Sequence, residues 1–208
     1  AEVLRRRFFT PESLKDKDAF RAPVQAALVG IQALDEQIQK KGADAEDRFL
    51  RSYPFHPDLT EVLYGKWTQL ARFQRTRGVL RTFALALRDA EKWDSSPLIG
   101  PAALLAAPDS KEGLSEALSE LVAVADTEES DGRKQAWRGI LDSDFVQARR
   151  IQSESMGCKS REIEQAVVAT FLHSQPIGQS AKTRDLLLLL GSARPDKIEL
   201  EKGLNRWA

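Results

Sequence analysis

Arg77, Arg81 and Arg88 are the residues whose type and spacing most invite a chemical reading. They stand four and eleven positions apart, which at about 100° per residue places them within ~40° of one another on one helix face. Lys66, Arg72, Arg75 and Lys92 flank them, so residues 66–92 hold seven positive charges against Asp89 and Glu91. A guanidinium fork suits a phosphate, and several forks on one rigid element make an anion site. The alternative is a solvated face that pairs with segment 109–131, which carries eight acids against one lysine. Arg5-Arg6-Arg7 is a second basic cluster, followed at once by Phe8-Phe9. Adjacent arginines cannot share a helix face, so one or two of them can address a ligand while the phenylalanines fix the segment.

Other reactive side chains read as structural. His56 lies between two prolines and caps the helix that Pro57 opens or packs beneath the turn, with no neighbour placed by sequence to make it a base. His173 follows an apolar helix face, and Cys158 lacks a local partner that would activate it. Two histidines and one cysteine cannot build a zinc site from soft ligands, so no metal site is expected. The sequence has no G-x-x-x-x-G-K-[ST] loop, no G-x-G-x-x-G after a strand, no metal-spaced carboxylates and no nucleophile elbow. It does not read as a self-sufficient enzyme.

The elements that must position these residues are helical. The 208 residues are 42% apolar and 30% charged, which excludes disordered, collagenous and low-complexity classes and describes a soluble globular chain. Basic and acidic residues balance at 31 each, so binding to nucleic acid or membrane would need a local patch. No apolar run approaches the ~18 residues of a membrane span. With a single cysteine, a reducing cytoplasm is the expected compartment. The opening Ala1-Glu2-Val3-Leu4 reads as the interior of a longer chain.

Thr10-Pro11-Glu12 predicts a helix start, and Phe20, Val24, Ala27, Leu28, Ile31, Leu34 and Ile38 predict one long amphipathic helix closed by Gly42. A short polar helix over 43–52, a helix restarting at Pro57 and ending near Gly65, and a strong helix from Thr76 to about Trp93 follow. Breaks at Asp94–Pro97 and Ile99–Pro101 end a first unit near residue 100. Beyond it come an acidic helix and loop over 109–131, a long helix from Trp137 to the break after Ser155, and three tail helices. In the tail Thr183 caps the second helix and Asp196-x-x-Glu199 the third, with joints that suit a helix-turn-helix. No period-two alternation is sustained, so the fold class is all-α.

Tyr53-Pro54-Phe55-His56-Pro57-Asp58-Leu59, followed by Phe73-Gln74-Arg75-Thr76-Arg77-Gly78-Val79-Leu80-Arg81, resembles the prokaryotic AAA+ ATPase family catalogued as domain of unknown function family 499. Glu2-Val3-Leu4-Arg5-Arg6-Arg7-Phe8-Phe9 and Phe171-Leu172-His173-Ser174 are similar to the same family, so the resemblance spans nearly the whole chain. It implies a lid-like region over 1–100, with an inserted long helix from about Pro11 to Arg51, and a helical region over 101–208 ending in a helix-turn-helix-like unit whose wing is truncated. In such proteins a G-x-x-R pattern opens a lid helix, so Gly78-Val79-Leu80-Arg81 makes Arg81 the nucleotide sensor and Arg77 its neighbour, while Arg6 or Arg7 becomes the finger acting on the next subunit. His56, Pro57 and Gly78 belong to the structural motifs.

The resemblance further implies ATP and Mg in the parent protein, an upstream ATPase core, a homo-oligomer and, by analogy with related large ATPases, a phage-defence setting. No tight ligand is expected on this chain alone. Two other readings stand beside it. One is a nucleic-acid-binding module using the 66–92 stripe and the terminal helix-turn-helix. The other is a helical scaffold whose basic stripe meets the acidic 109–131 surface of a neighbouring chain.

Overall fold

The helical spacing is realised as ten α-helices, with no strand, among the residues that the computed structural model describes: 2–16, 18–110, 113–126 and 135–208. They are α1 (Glu2–Phe8), α2 (Arg21–Leu34), α3 (Glu36–Ser52), α4 (Pro57–Gly65), α5 (Thr76–Ala90), α6 (Glu116–Ala125), α7 (Trp137–Glu154), α8 (Glu162–His173), α9 (Thr183–Leu190) and α10 (Lys197–Trp207). The chain is all-α. Residues 127–131 of the expected acidic loop lie outside the described residues. No helix among the described residues is long and apolar enough to cross a membrane.

One expected helix is two. The apolar stripe from Phe20 to Ile38 is interrupted at Asp35, whose backbone turns extended (φ −128°, ψ 107°). Its carboxylate accepts the Ile38 backbone N–H at 2.9 Å and the Arg184 guanidinium at 2.5 Å. An aspartate that can satisfy the first N–H groups of a following helix competes with continuing the preceding one, and here the cap wins. The start expected at Thr10-Pro11 is only a 3-10 turn, Glu12–Leu14, and Gly42 (φ 42°) kinks α3 where the polar second half begins. In the tail, the N-cap of α9 is Lys182 rather than Thr183, with the Lys182 backbone N–H donating to Asp185 at 3.0 Å.

The core explains the arrangement. Leu4, Phe55, Trp67, Phe83, Leu118, Phe171 and Leu204 belong to one connected apolar cluster, so residues from both sides of position 100 pack together. Trp67 and Trp137 both meet Phe171 edge-on, at 5.3 and 5.1 Å between ring centres, and the Trp67 indole N–H donates to the Leu172 carbonyl at 3.0 Å. Burying such rings contributes about 2–3 kcal/mol each, and the indole adds a directional hold. A smaller cluster around Val24, Ile31, Phe49 and Leu188 sits beneath α2 and α3. There α2 crosses the 3-10 turn Gly191–Ala193 so closely that a β-carbon on Gly30 would lie 2.0 Å from the Gly191 carbonyl oxygen. In the tail, α9 packs on α8, and α10 packs on α7 and α8.

Candidate functional site: an arginine-lined cleft

The start of α5 is shaped by a fold-back. The 3-10 turn Ala71–Phe73 leads into Gln74 (φ 59°), which is left-handed, and Arg75 (φ 51°), a second residue with positive φ, and together they reverse the chain into the helix. The Phe73 carbonyl then presses on the first helical turn, so that a β-carbon on Gly78 would stand 1.7 Å from its oxygen. This gives Gly78 its role, since only a residue without a side chain lets the turn close. The turn also brings Arg72 onto the same cleft wall as Arg77. Val79, Phe83, Ala86 and Ala90 bury the opposite face of α5, which turns Arg77, Arg81 and Arg88 outward.

Helix α1 supplies the second wall. Leu4 is fully buried, and Phe8 and Phe9 both pack on Phe55, with ring centres 6.3 and 6.0 Å apart. The phenylalanines fix the segment, as their position after the arginines suggests. Arg7 then faces a cleft of about 750 Å³, shared with Arg72, Arg77, Gly78 and Arg81 and walled by Phe8, Phe73, Leu80, Leu121 and Val124. Arg6 does not line it: its guanidinium donates to Glu2 at 2.7 Å on the exposed side of α1.

Helix α6 supplies the third wall and, among the described residues, the cleft's only carboxylate, Glu120. The Arg81 guanidinium grips it with two hydrogen bonds, of 2.6 and 2.5 Å. This pairing holds the Glu120 carboxyl below its usual range and raises Arg81. Seven residues on, Arg88 donates to Glu116 at 2.5 Å and to Asp89 at 3.0 Å. The order of the two rungs shows that α5 and α6 run antiparallel. Thus the basic stripe and the acidic segment do meet, within one chain, at Arg81 and Arg88. The side chains of Arg7, Arg72 and Arg77 have no ion-pair or hydrogen-bond partner among the described residues, so the cleft sets four arginines against one glutamate.

His56 and Pro57 lie outside this cleft and form a joint. Pro57 opens α4, and His56 caps it: Nδ1 accepts the Asp58 N–H at 3.2 Å while Nε2–H donates to the Leu188 carbonyl at 3.1 Å. The ring is completely buried, and loss of solvent pushes its pKa down to about 4. A neutral imidazole with both nitrogens engaged is a cap. Arg48 braces the same turn through Asp58 at 3.0 and 3.2 Å. His173 is buried against Asp185 (3.7 Å), and burial lowers its pKa. The Cys158 thiol is pushed up to about 12 by burial and by nearby carboxylates, so it stays protonated and inert. Among the described residues no three His, Cys, Asp or Glu side chains gather as metal ligands.

Sequence reasoning passed over Glu120 as one acid in a run, and Glu164 altogether. Glu164 is buried and accepts from Arg149 at 2.9 Å and from Arg161 at 2.7 Å, with Arg161 in turn stacked 5.4 Å over Trp93. The Arg161–Glu164 pair is a local one, three residues apart at the start of α8, but nothing in the local sequence signals that Arg149 of α7 and Trp93 join it.

The family model described as DUF499 second domain matches residues 1–183. The chain belongs to the DUF499 family. Every residue that lines the cleft lies inside the matched part of this DUF499 domain, whereas α9 beyond Thr183 and all of α10 lie past it. Neither the curated proteins nor the solved structures offer a match.

Proposed function

We propose that this DUF499 domain is a non-catalytic, nucleotide-sensing part of a AAA+ ATPase, coupling the state of bound ATP to a rearrangement of helices. The observation that carries the reading is the shared cleft: Arg7, Arg77, Arg81 and Gly78, drawn from two distant segments, line one basic surface with apolar walls. A triphosphate is a dense anion, and guanidiniums on rigid helices bind it with little reorganisation. Arg77 and Arg81 read the terminal phosphate; Arg7, on the same cleft, or Arg6, on the outer face of α1, acts across a subunit boundary in a homo-oligomer.

The cleft suits the anion and not a cation, since four arginines around a single carboxylate repel a divalent ion. Magnesium is therefore left to the upstream core and the phosphates themselves. The coupling element is the α5–α6 pair, whose two ionic rungs report any movement of Arg81. The tail helices α8–α10 form the helix-turn-helix-like unit that follows.

The test is ATP turnover in the intact protein carrying Arg81→Ala. Nucleotide-coupled turnover falls while the helical content and melting temperature stay those of the wild type; unchanged turnover in a folded variant removes the assignment. Tight binding of duplex DNA that weakens steeply with salt, abolished by the same substitution, would favour the nucleic-acid module instead.

A further inference from the structure

We infer that Glu120 is a built-in competitor for the cleft's anionic ligand: it holds Arg81 until a phosphate group displaces it, and that exchange unties α6 from α5 at the cleft end while their buried faces stay packed. The inference rests on the sensing reading and names its regulation. Arg81 has two possible states because Glu120, the sole carboxylate of the cleft among the described residues, stands on a different helix from the arginine it holds. The side chain of Arg81 is 66% exposed and that of Glu120 34% exposed. An ion pair so wetted is weakly held, because water competes with it and two long side chains must be ordered to form it. A phosphate entering beside Arg77, one helical turn away, brings more negative charge than a carboxylate and meets three guanidiniums that have no partner to give up among the described residues.

The second rung provides the internal comparison. Arg88 and Glu116 pair across the same two helices, yet neither lines the arginine cleft. When Arg81 turns to a phosphate, the α5–α6 contact keeps its Arg88 rung and loses its Glu120 rung. The helices then hinge about the Arg88 end rather than separating, and Glu120 is freed at the cleft mouth. A bound anion and an opened rung are two faces of one equilibrium, so removing the carboxylate must strengthen anion binding.

The experiment is calorimetric titration of inorganic tripolyphosphate into the 208-residue chain and into E120Q, E116Q and R77A, each checked for native helical content. E120Q binds about two- to fivefold more tightly than wild type, the range an exposed ion pair can supply; E116Q binds like wild type, and R77A binds more weakly than either. Equal affinities for wild type and E120Q overturn the exchange while leaving the sensing reading intact. Absence of binding by both wild type and E120Q also overturns the exchange, while the sensing reading stands or falls separately on ATP turnover in the intact protein.

Discussion

The carbonyl oxygen of Phe73 occupies the space beside Gly78 where any other residue would place its β-carbon, 1.7 Å away. This contact ties the 3-10 turn carrying Arg72 to the helix carrying Arg77 and Arg81, so the cleft's geometry depends on a missing side chain.

Gly78→Ala therefore destabilises the chain. At an unobstructed helical site alanine would gain about 1 kcal/mol over glycine, but here the overlap forces the turn away from α5 and costs about 2 kcal/mol or more. Urea unfolding checks the sign against Gly139→Ala in α7, where nothing lies within 4 Å of the new carbon and stability should rise. A Gly78→Ala variant as stable as wild type would mean that the turn is not locked.

Acid should loosen the fold before its carboxylates titrate. His56 is neutral in the folded chain, its pKa lowered from 6.5 to about 4 by burial, with Asp58 and Arg48 as the charged groups facing it. Its stabilising contribution is complete above pH 6.5 and is lost as the pH falls through about 4, because the unfolded chain binds a proton that the folded chain resists. The size is about 3 kcal/mol across that window. His173, also lowered, contributes with the same sign. In His56→Asn, which keeps a capping side chain, the stability measured between pH 6.5 and 4 declines less steeply; an unchanged slope would show that His56 is not the titrating group.

Asp35→Ala removes both the cap of α3 and the partner of Arg184. A lost cap costs about 1 kcal/mol and a buried, charge-assisted partner adds to it, for roughly 2 kcal/mol in all. Arg184→Ala costs less, because that side chain is 44% exposed and the cap survives. Chemical denaturation of the two variants should rank them in that order, and the reverse ranking would place the strength of this joint in the ion pair.

The all-α class and most helix boundaries were legible because apolar spacing alone sets them: α5 begins at Thr76 and α7 at Trp137, where their inward faces begin. The break at Asp35 was not, because Ile31, Leu34 and Ile38 keep helical spacing straight through it and neither glycine nor proline marks it. Its cause is partly the distant Arg184, which no local pattern reports. Arg77, Arg81 and Arg88 were legible as one stripe from their positions on one helix, although Arg88 does not line the cleft and Gly78 entered only through the family resemblance, whereas Glu120 could be chosen from its acidic run only once α6 was seen lying antiparallel to α5. Likewise Arg6 and Arg7 are equivalent as letters, and the packing of Phe8 on Phe55 decides which of them lines the cleft.

The most direct measurement compares ATP turnover in the intact protein between Arg77→Ala and Lys92→Ala. Both remove a positive charge from the same basic stretch, but only Arg77 lines the arginine cleft, where its side chain has no partner among the described residues. The account predicts that Arg77→Ala lowers turnover about tenfold or more, as loss of a charge-stabilising arginine does, while Lys92→Ala matches wild type. Equal turnover in the two folded variants would contradict it.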